Sequence, residues 1–156
     1  SIGNSEGRSE IAAALAYSSA RAGEKVLFID TDFRDPSARR LFGTAAVSPA
    51  DRKSVVKTRY GVDVLPYDGS AQDMPTVRRS IEALKPEYDR IIVNTSSLGD
   101  GSEAIEAAGA CDGSVFVLES GQTAVRRARY YMTLFNDAGH EVAGTALAKA
   151  QGKFLF

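Results

Sequence analysis

The sequence predicts an α/β domain: a mainly parallel sheet with helices on both faces. Three observations carry this. Short continuous apolar runs, such as Lys25–Ile29 and Ser114–Leu118, have the pattern of strands buried on both faces. Helical stretches alternate with these runs, which implies right-handed crossovers between parallel strands. The first run ends in two aspartates one residue apart, Asp30 and Asp32, at the strand end where open sheets of this class place a ligand site.

Each element has its own local reason. Ile11–Ala22 is rich in alanine and leucine and is punctuated by Gly23, so it reads as a helix with a glycine end. Lys25–Ile29 is the strand that follows. Pro36–Phe42 reads as a short helix with Asp35 as its N-cap and Pro36 at its first position. Thr44–Tyr60 is polar and weakly patterned, so loop and surface structure are expected there. Val62–Leu65 reads as a strand stopped by Pro66, and Met74–Leu84 as a helix after Asp73. Arg90–Val93, Ser114–Leu118 and Glu141–Leu147 read as the remaining strands. Helices are expected at Ser102–Ala110 and at Thr123–Ala138, the latter stopped by Gly139.

The 156 residues suit one domain spanning 1–156, with no repeats, linkers or low-complexity tracts. Apolar content of 44% and charged content of 25% are those of an ordinary globular protein. A net charge of −1 gives no electrostatic reason to expect nucleic acid or an anionic membrane as a partner. A single cysteine, Cys111, excludes an internal disulfide, fits a reducing cytoplasm and reads as a structural thiol. No apolar run reaches membrane-spanning length and no signal peptide is visible, so membrane attachment is expected to lie outside this segment. His140 follows Gly139 in a turn, and Arg126, Arg127 and Arg129 read as a solvated helix face.

Ser1–Glu10 reads Ser-Ile-Gly-Asn-Ser-Glu-Gly-Arg-Ser-Glu, just ahead of the first helix. A phosphate loop of the type Gly-x-x-x-x-Gly-Lys-[Ser/Thr] wraps its amides around phosphate oxygens at a helix N-terminus. Its lysine reaches the terminal phosphates and its hydroxyl binds magnesium. Gly7 and Ser9 fit that pattern, whereas Ile2 and Ser5 stand at glycine positions and Arg8 stands at the lysine. Arginine keeps the charge, but its planar fork is not a compact ammonium. Read without the rest of the chain, the same residues are a polar loop with Ser9 capping an ordinary helix. Such a loop normally follows a strand, yet Ser1 falls inside it, so the first strand is expected to be missing or replaced by another segment.

Asp30-Thr31-Asp32-Phe33-Arg34-Asp35-Pro36 follows at the distance of one helix and one strand. The plain alternative for its acids is a pair of solvated turn residues capping the helix of Pro36. Tyr88–Ser97 reads Tyr-Asp-Arg-Ile-Ile-Val-Asn-Thr-Ser-Ser, and Gly144–Lys149 reads Gly-Thr-Ala-Leu-Ala-Lys. In this order the motifs resemble the nucleotide site of the MinD/ParA-like P-loop ATPases, and within them the bacterial tyrosine kinases of polysaccharide export. That branch carries Asp-x-Asp-x-Arg-x-Pro, Tyr-Asp followed by three apolar residues and Asp-Thr-Pro-Pro, and Gly-x-x-apolar-Asn-Lys.

The resemblance implies a P-loop fold that binds ATP and Mg²⁺, with Ser5, Glu6, Gly7, Arg8, Ser9 and Glu10 around the phosphates. It implies Asp30, Asp32 and Arg8 as the catalytic set, and Ser9, Asp30 and Asn94 at the metal. Three functional positions depart from the pattern: Arg8 for lysine, Asn94 for an aspartate, and Ala148 for the asparagine that contacts adenine. An amide lacks the anionic attraction of a carboxylate for a divalent cation. Phosphoryl transfer depends on phosphate positioning and metal charge, so the chemistry is expected to be weakened or lost. The implied setting is the inner face of a bacterial inner membrane. There the domain would form a homo-oligomer and work with a polysaccharide copolymerase segment in the same or a partner chain. Two alternatives stand beside it, an active ATP-dependent tyrosine autokinase and a partitioning ATPase. Ile2, Gly3 and Asn4, where partitioning proteins carry an extra lysine, and the Asp32–Pro36 run favour the kinase branch.

Overall fold

The structure, a computed structural model, describes residues 7–32, 37–43, 55–66 and 74–149. These form two compact units, one of residues 9–96 and one of residues 97–149 with Gly7 and Arg8.

In the first unit, helix α1 (Arg8–Arg21) leads into strand β1 (Val26–Thr31). Gly23, at φ +95°, makes the turn between them, and its N–H and that of Glu24 satisfy the carbonyls of Ala20 and Ser19. Then come α2 (Ala38–Phe42), β2 (Val56–Lys57), β3 (Val62–Pro66), α3 (Met74–Leu84), a 3₁₀ turn (Lys85–Glu87) and β4 (Arg90–Thr95). The strand order is β2-β3-β1-β4, with β1 parallel to both of its neighbours. Val26, Phe28, Val62, Val64 and Ile92 pack with Ala16, Ala38 and Phe42 into one core. Alanines 12, 13, 16 and 20 give α1 a small-residue face that lies close to these strands, which is why the helix is so rich in alanine. Strand alternation puts Leu27 and Ile29 on the opposite face, and both are fully buried. The sheet is therefore covered on both sides, as its apolar strands predict.

Two expectations change. The stretch expected to be loop contains β2, an antiparallel edge strand on β3 that at two residues is too short to show a period. Helix α2 begins at Ala38, and its expected cap Asp35, like Pro36 and Asp73, lies outside the described residues. A different acid, from the end of β1, caps α2.

The second unit holds α4 (Glu103–Ala108), β5 (Ser114–Glu119), α5 (Val125–Asp137) and β6 (Val142–Ala148). β5 and β6 pair in parallel, and Phe116, Phe135, Leu98, Ala104, Ala108 and Ala128 form a core of their own. Gly139, at φ +80°, ends α5 as expected. Arg127 lies over the ring of its helix neighbour Tyr131, while Tyr130 is exposed. Among the described residues, no helix is long and apolar enough to cross a membrane.

Candidate functional site

β1 and β4 run in register, so Asp30 stands directly opposite Asn94 at the carboxyl end of the sheet. Helix α1 brings Ser9, in its first turn, to the same place: the Asn94 amide nitrogen lies 3.2 Å from Ser9 Oγ and 2.9 Å from Asp30 Oδ1. All three side chains are buried. Asp32 is buried one residue past the end of β1, and its N–H donates to Asp30 Oδ1 at 3.3 Å. Thr31 fixes the strand pair by donating its hydroxyl to the Asn94 carbonyl at 2.9 Å.

Asp30 has a second occupation that the strand pattern does not reveal. Its Oδ2 accepts from the backbone N–H groups of Ser37 and Ala38, both at 2.7 Å, and from Ser37 Oγ at 3.2 Å. These amides open α2, so Asp30 caps that helix from seven residues upstream. Phe28 holds the helix in place from the same strand, its ring 4.8 Å from that of Phe42. The capping half of the plain alternative thus describes Asp30, but the solvated half does not. Burial pushes the Asp30 carboxyl above its ordinary 3.8, and the Asn94 amide and the backbone donors oppose that shift.

The buried hydroxyl of Ser37 completes the cluster, 3.3 Å from the Asn94 nitrogen. The sequence reading missed Ser37, although a serine just ahead of a short helix is a recognisable capping signal. Ser96, at a proline position of the kinase pattern, has a buried Oγ that, like Asn94 Oδ1, has no hydrogen-bond partner among the described residues.

The other expected residues are placed differently. Ser5 and Glu6 lie outside the described residues. Arg8 is half-buried and opens α1. Glu10 is exposed and pairs with Arg40 of α2 at 2.9 Å. In the second unit, Gly7 has φ +71°, and a Cβ there would lie 3.3 Å from that of Ala148. A groove of about 520 Å³ along β5, β6 and α5, lined by Leu118, Val125, Met132 and Leu147, contains none of the expected site residues.

Mg²⁺ requires oxygens at about 2.0–2.1 Å in octahedral array. Here three oxygens converge on a nitrogen at hydrogen-bond distance, and both Asp30 oxygens are already engaged by donors. The amide must face Asp30 through its nitrogen, because an ionised carboxylate offers only acceptors. As arranged, the donor set does not fit the cation. Among the described residues, no cluster of three histidine, cysteine or acidic side chains could hold a metal either.

No protein-family model matches the chain. It is 30% identical to the succinoglycan biosynthesis transport protein ExoP of Rhizobium meliloti, with 80% of this chain aligned to 18% of that protein. It is also 30% identical to the tyrosine-protein kinase CpsD of Streptococcus agalactiae, over 78% of this chain and 61% of CpsD. The chain therefore spans less than two thirds of either relative. Among solved structures, the kinase domain of Escherichia coli tyrosine kinase ETK matches with a TM-score of 0.80 at 22% identity, covering 98% of this chain and 68% of that one. The septum site-determining protein MinD of Pyrococcus horikoshii, complexed with Mg-ADP, also matches with a TM-score of 0.80, at 19% identity over 94% of this chain and 67% of that one. ExoP and the CpsD tyrosine kinases are homologues of this chain, and its fold is that of the MinD/ParA-like P-loop proteins.

Proposed function

We propose that this homologue of ExoP and the CpsD tyrosine kinases is a kinase-like domain of an exopolysaccharide export system that acts by assembly rather than by phosphoryl transfer. In this reading it lies on the cytoplasmic side of the inner membrane. It self-associates and works beside a membrane-spanning copolymerase segment in the same or a partner chain. The supporting observation is the amide of Asn94, which directs a donor at Asp30 and Ser9 where the kinase pattern has a carboxylate for magnesium. Arg8 in place of the phosphate-loop lysine adds to it. Without metal charge and a compact ammonium at the phosphates, the electrostatic stabilisation on which phosphoryl transfer depends is largely lost.

Titration calorimetry with ATP and magnesium tests the reading. The parent domain is expected to bind weakly or not at all. Combining Arg8→Lys with Asn94→Asp is expected to raise affinity by more than the two single changes together, because both act on one electrostatic site. Tight, magnesium-dependent ATP binding by the parent would favour the active autokinase instead.

A further inference from the structure

We propose that Asn94 makes the end of this sheet a cation-independent lock, and that this one residue decides whether the cluster holds a hydrogen-bonded amide or a divalent metal. The inference rests on the degenerate-site reading only for the identity of the cation, magnesium; the geometry stands independently.

Three oxygens from three elements meet at the Asn94 nitrogen: Ser9 Oγ from the start of α1, Asp30 Oδ1 from the end of β1, and Ser37 Oγ from the start of α2. They lie 3.2, 2.9 and 3.3 Å from it. The two N–H groups of the amide therefore tie both helix starts to the sheet, the positional work a cation would otherwise perform. All four side chains are buried, so bulk water does not compete for these bonds.

An Asn94→Asp change is close to isosteric but replaces the central donor with an acceptor. Two carboxylates would then face each other about 3 Å apart in a buried site, with hydroxyl oxygens around them. An oxygen-rich, doubly anionic cluster of this kind suits a hard divalent cation. The same change should therefore both break the lock and create a metal site. The swap Asp30→Asn with Asn94→Asp keeps one carboxylate and one amide. The amide introduced at position 30 can offer its oxygen to the N–H groups of Ser37 and Ala38 and its nitrogen to the carboxylate introduced at position 94. The swap gives up the Asp32 N–H bond to position 30 but should retain the lock between the two helix starts and the sheet.

The test is thermal unfolding of the parent, Asn94→Asp and the swap. Each is measured in EDTA, in ionic-strength-matched sodium chloride and in millimolar magnesium or manganese chloride. The parent and the swap are expected to shift by less than ~1 °C with either divalent ion. Asn94→Asp is expected to melt about 5–10 °C lower in EDTA and to recover at least half of that with magnesium or manganese. Manganese spin resonance should report one bound ion per chain in Asn94→Asp and none in the parent. If Asn94→Asp does not accumulate, its refolding yield with and without magnesium gives the same readout.

An Asn94→Asp protein equally stable in EDTA and magnesium, or insoluble in both, would overturn the proposal. So would a parent stabilised specifically by magnesium without nucleotide. These outcomes are separate from the calorimetry: ATP bound tightly by the parent without metal would contradict the weak binding expected under the proposed function and leave the lock standing.

Discussion

Replacing Asp30 should reveal whether its first duty is chemistry or architecture. In Asp30→Ala, the Ser37 and Ala38 amides lose an acceptor 2.7 Å away in a site with almost no solvent access. The Ser37 hydroxyl can rotate, and Asn94 keeps Ser9 and Ser37 as acceptors. The Asp32 N–H also loses its longer bond to Asp30 Oδ1, at 3.3 Å, so the two short amide bonds carry most of the loss. At roughly 1–3 kcal/mol for each unsatisfied buried group, offset by relief of a desolvated carboxylate, the net cost is about 2–4 kcal/mol. That is a large share of a typical domain stability of about 5–15 kcal/mol, and corresponds to a melting shift of roughly 4–16 °C. Asp30→Asn keeps an oxygen for the two amides. Its new nitrogen is accommodated if the Asn94 side chain turns over, presenting Oδ1 to that nitrogen and to the hydroxyls of Ser9 and Ser37. It should cost less than Asp30→Ala because the two short amide bonds survive, although the Asp32 N–H bond is lost and the turned Asn94 nitrogen takes the place where Oδ1 has no partner among the described residues.

Urea unfolding followed by far-ultraviolet circular dichroism measures both variants; the chain has no tryptophan to serve as a probe. Asp30→Ala within about 1 kcal/mol of the parent would refute the capping argument. Equal loss in both variants would mean that the negative charge, not the acceptor geometry, holds α2. The result governs any functional assay. Under the proposed function, loss of polymer export in Asp30→Ala is uninformative about catalysis if the protein also unfolds, whereas Asp30→Asn removes the carboxylate and leaves the scaffold.

Two further outcomes follow from the ends of the elements. Arg90 grips Glu24 through two hydrogen bonds of 2.6 and 2.8 Å, and with Ser19 lowers the Glu24 pKa to about 2. The depressed carboxylate contributes stability above its unfolded value of 4.5 and loses it as pH falls toward 2. Glu24→Gln should therefore lie slightly below the parent at neutral pH and converge with it through that window in pH-dependent unfolding curves, a small effect because the pair is solvent-screened. Gly7→Ala should cost about 1–2 kcal/mol from its left-handed backbone alone. Part of any excess, due to the contact with Ala148, should disappear in an Ala148→Gly background, as a double-mutant cycle of unfolding free energies would show.

Much of the fold was legible because burial on both faces leaves a mark that does not depend on neighbours. The run Val26–Ile29 could only be a covered strand, and the alanines of α1 report how closely that helix approaches it. β2 was hidden because two edge residues carry no period. The site was legible as a place and less so as a chemistry. Spacing alone brings Ser9, Asp30 and Asn94 together, since a helix and two parallel strands in register leave little other choice. Which atoms face which depends on contacts formed only after folding. An aspartate at a strand end looks the same in sequence whether it binds a metal, caps a helix seven residues on, or does both. Asn94 settles the polarity of the cluster: an amide nitrogen facing a carboxylate is a donor, and a donor cannot share that position with a cation. The substitution that reads in sequence as a lost carboxylate is, in the folded chain, also a gained hydrogen-bond donor. Reversion of position 94 therefore has to be judged by stability as well as by nucleotide affinity.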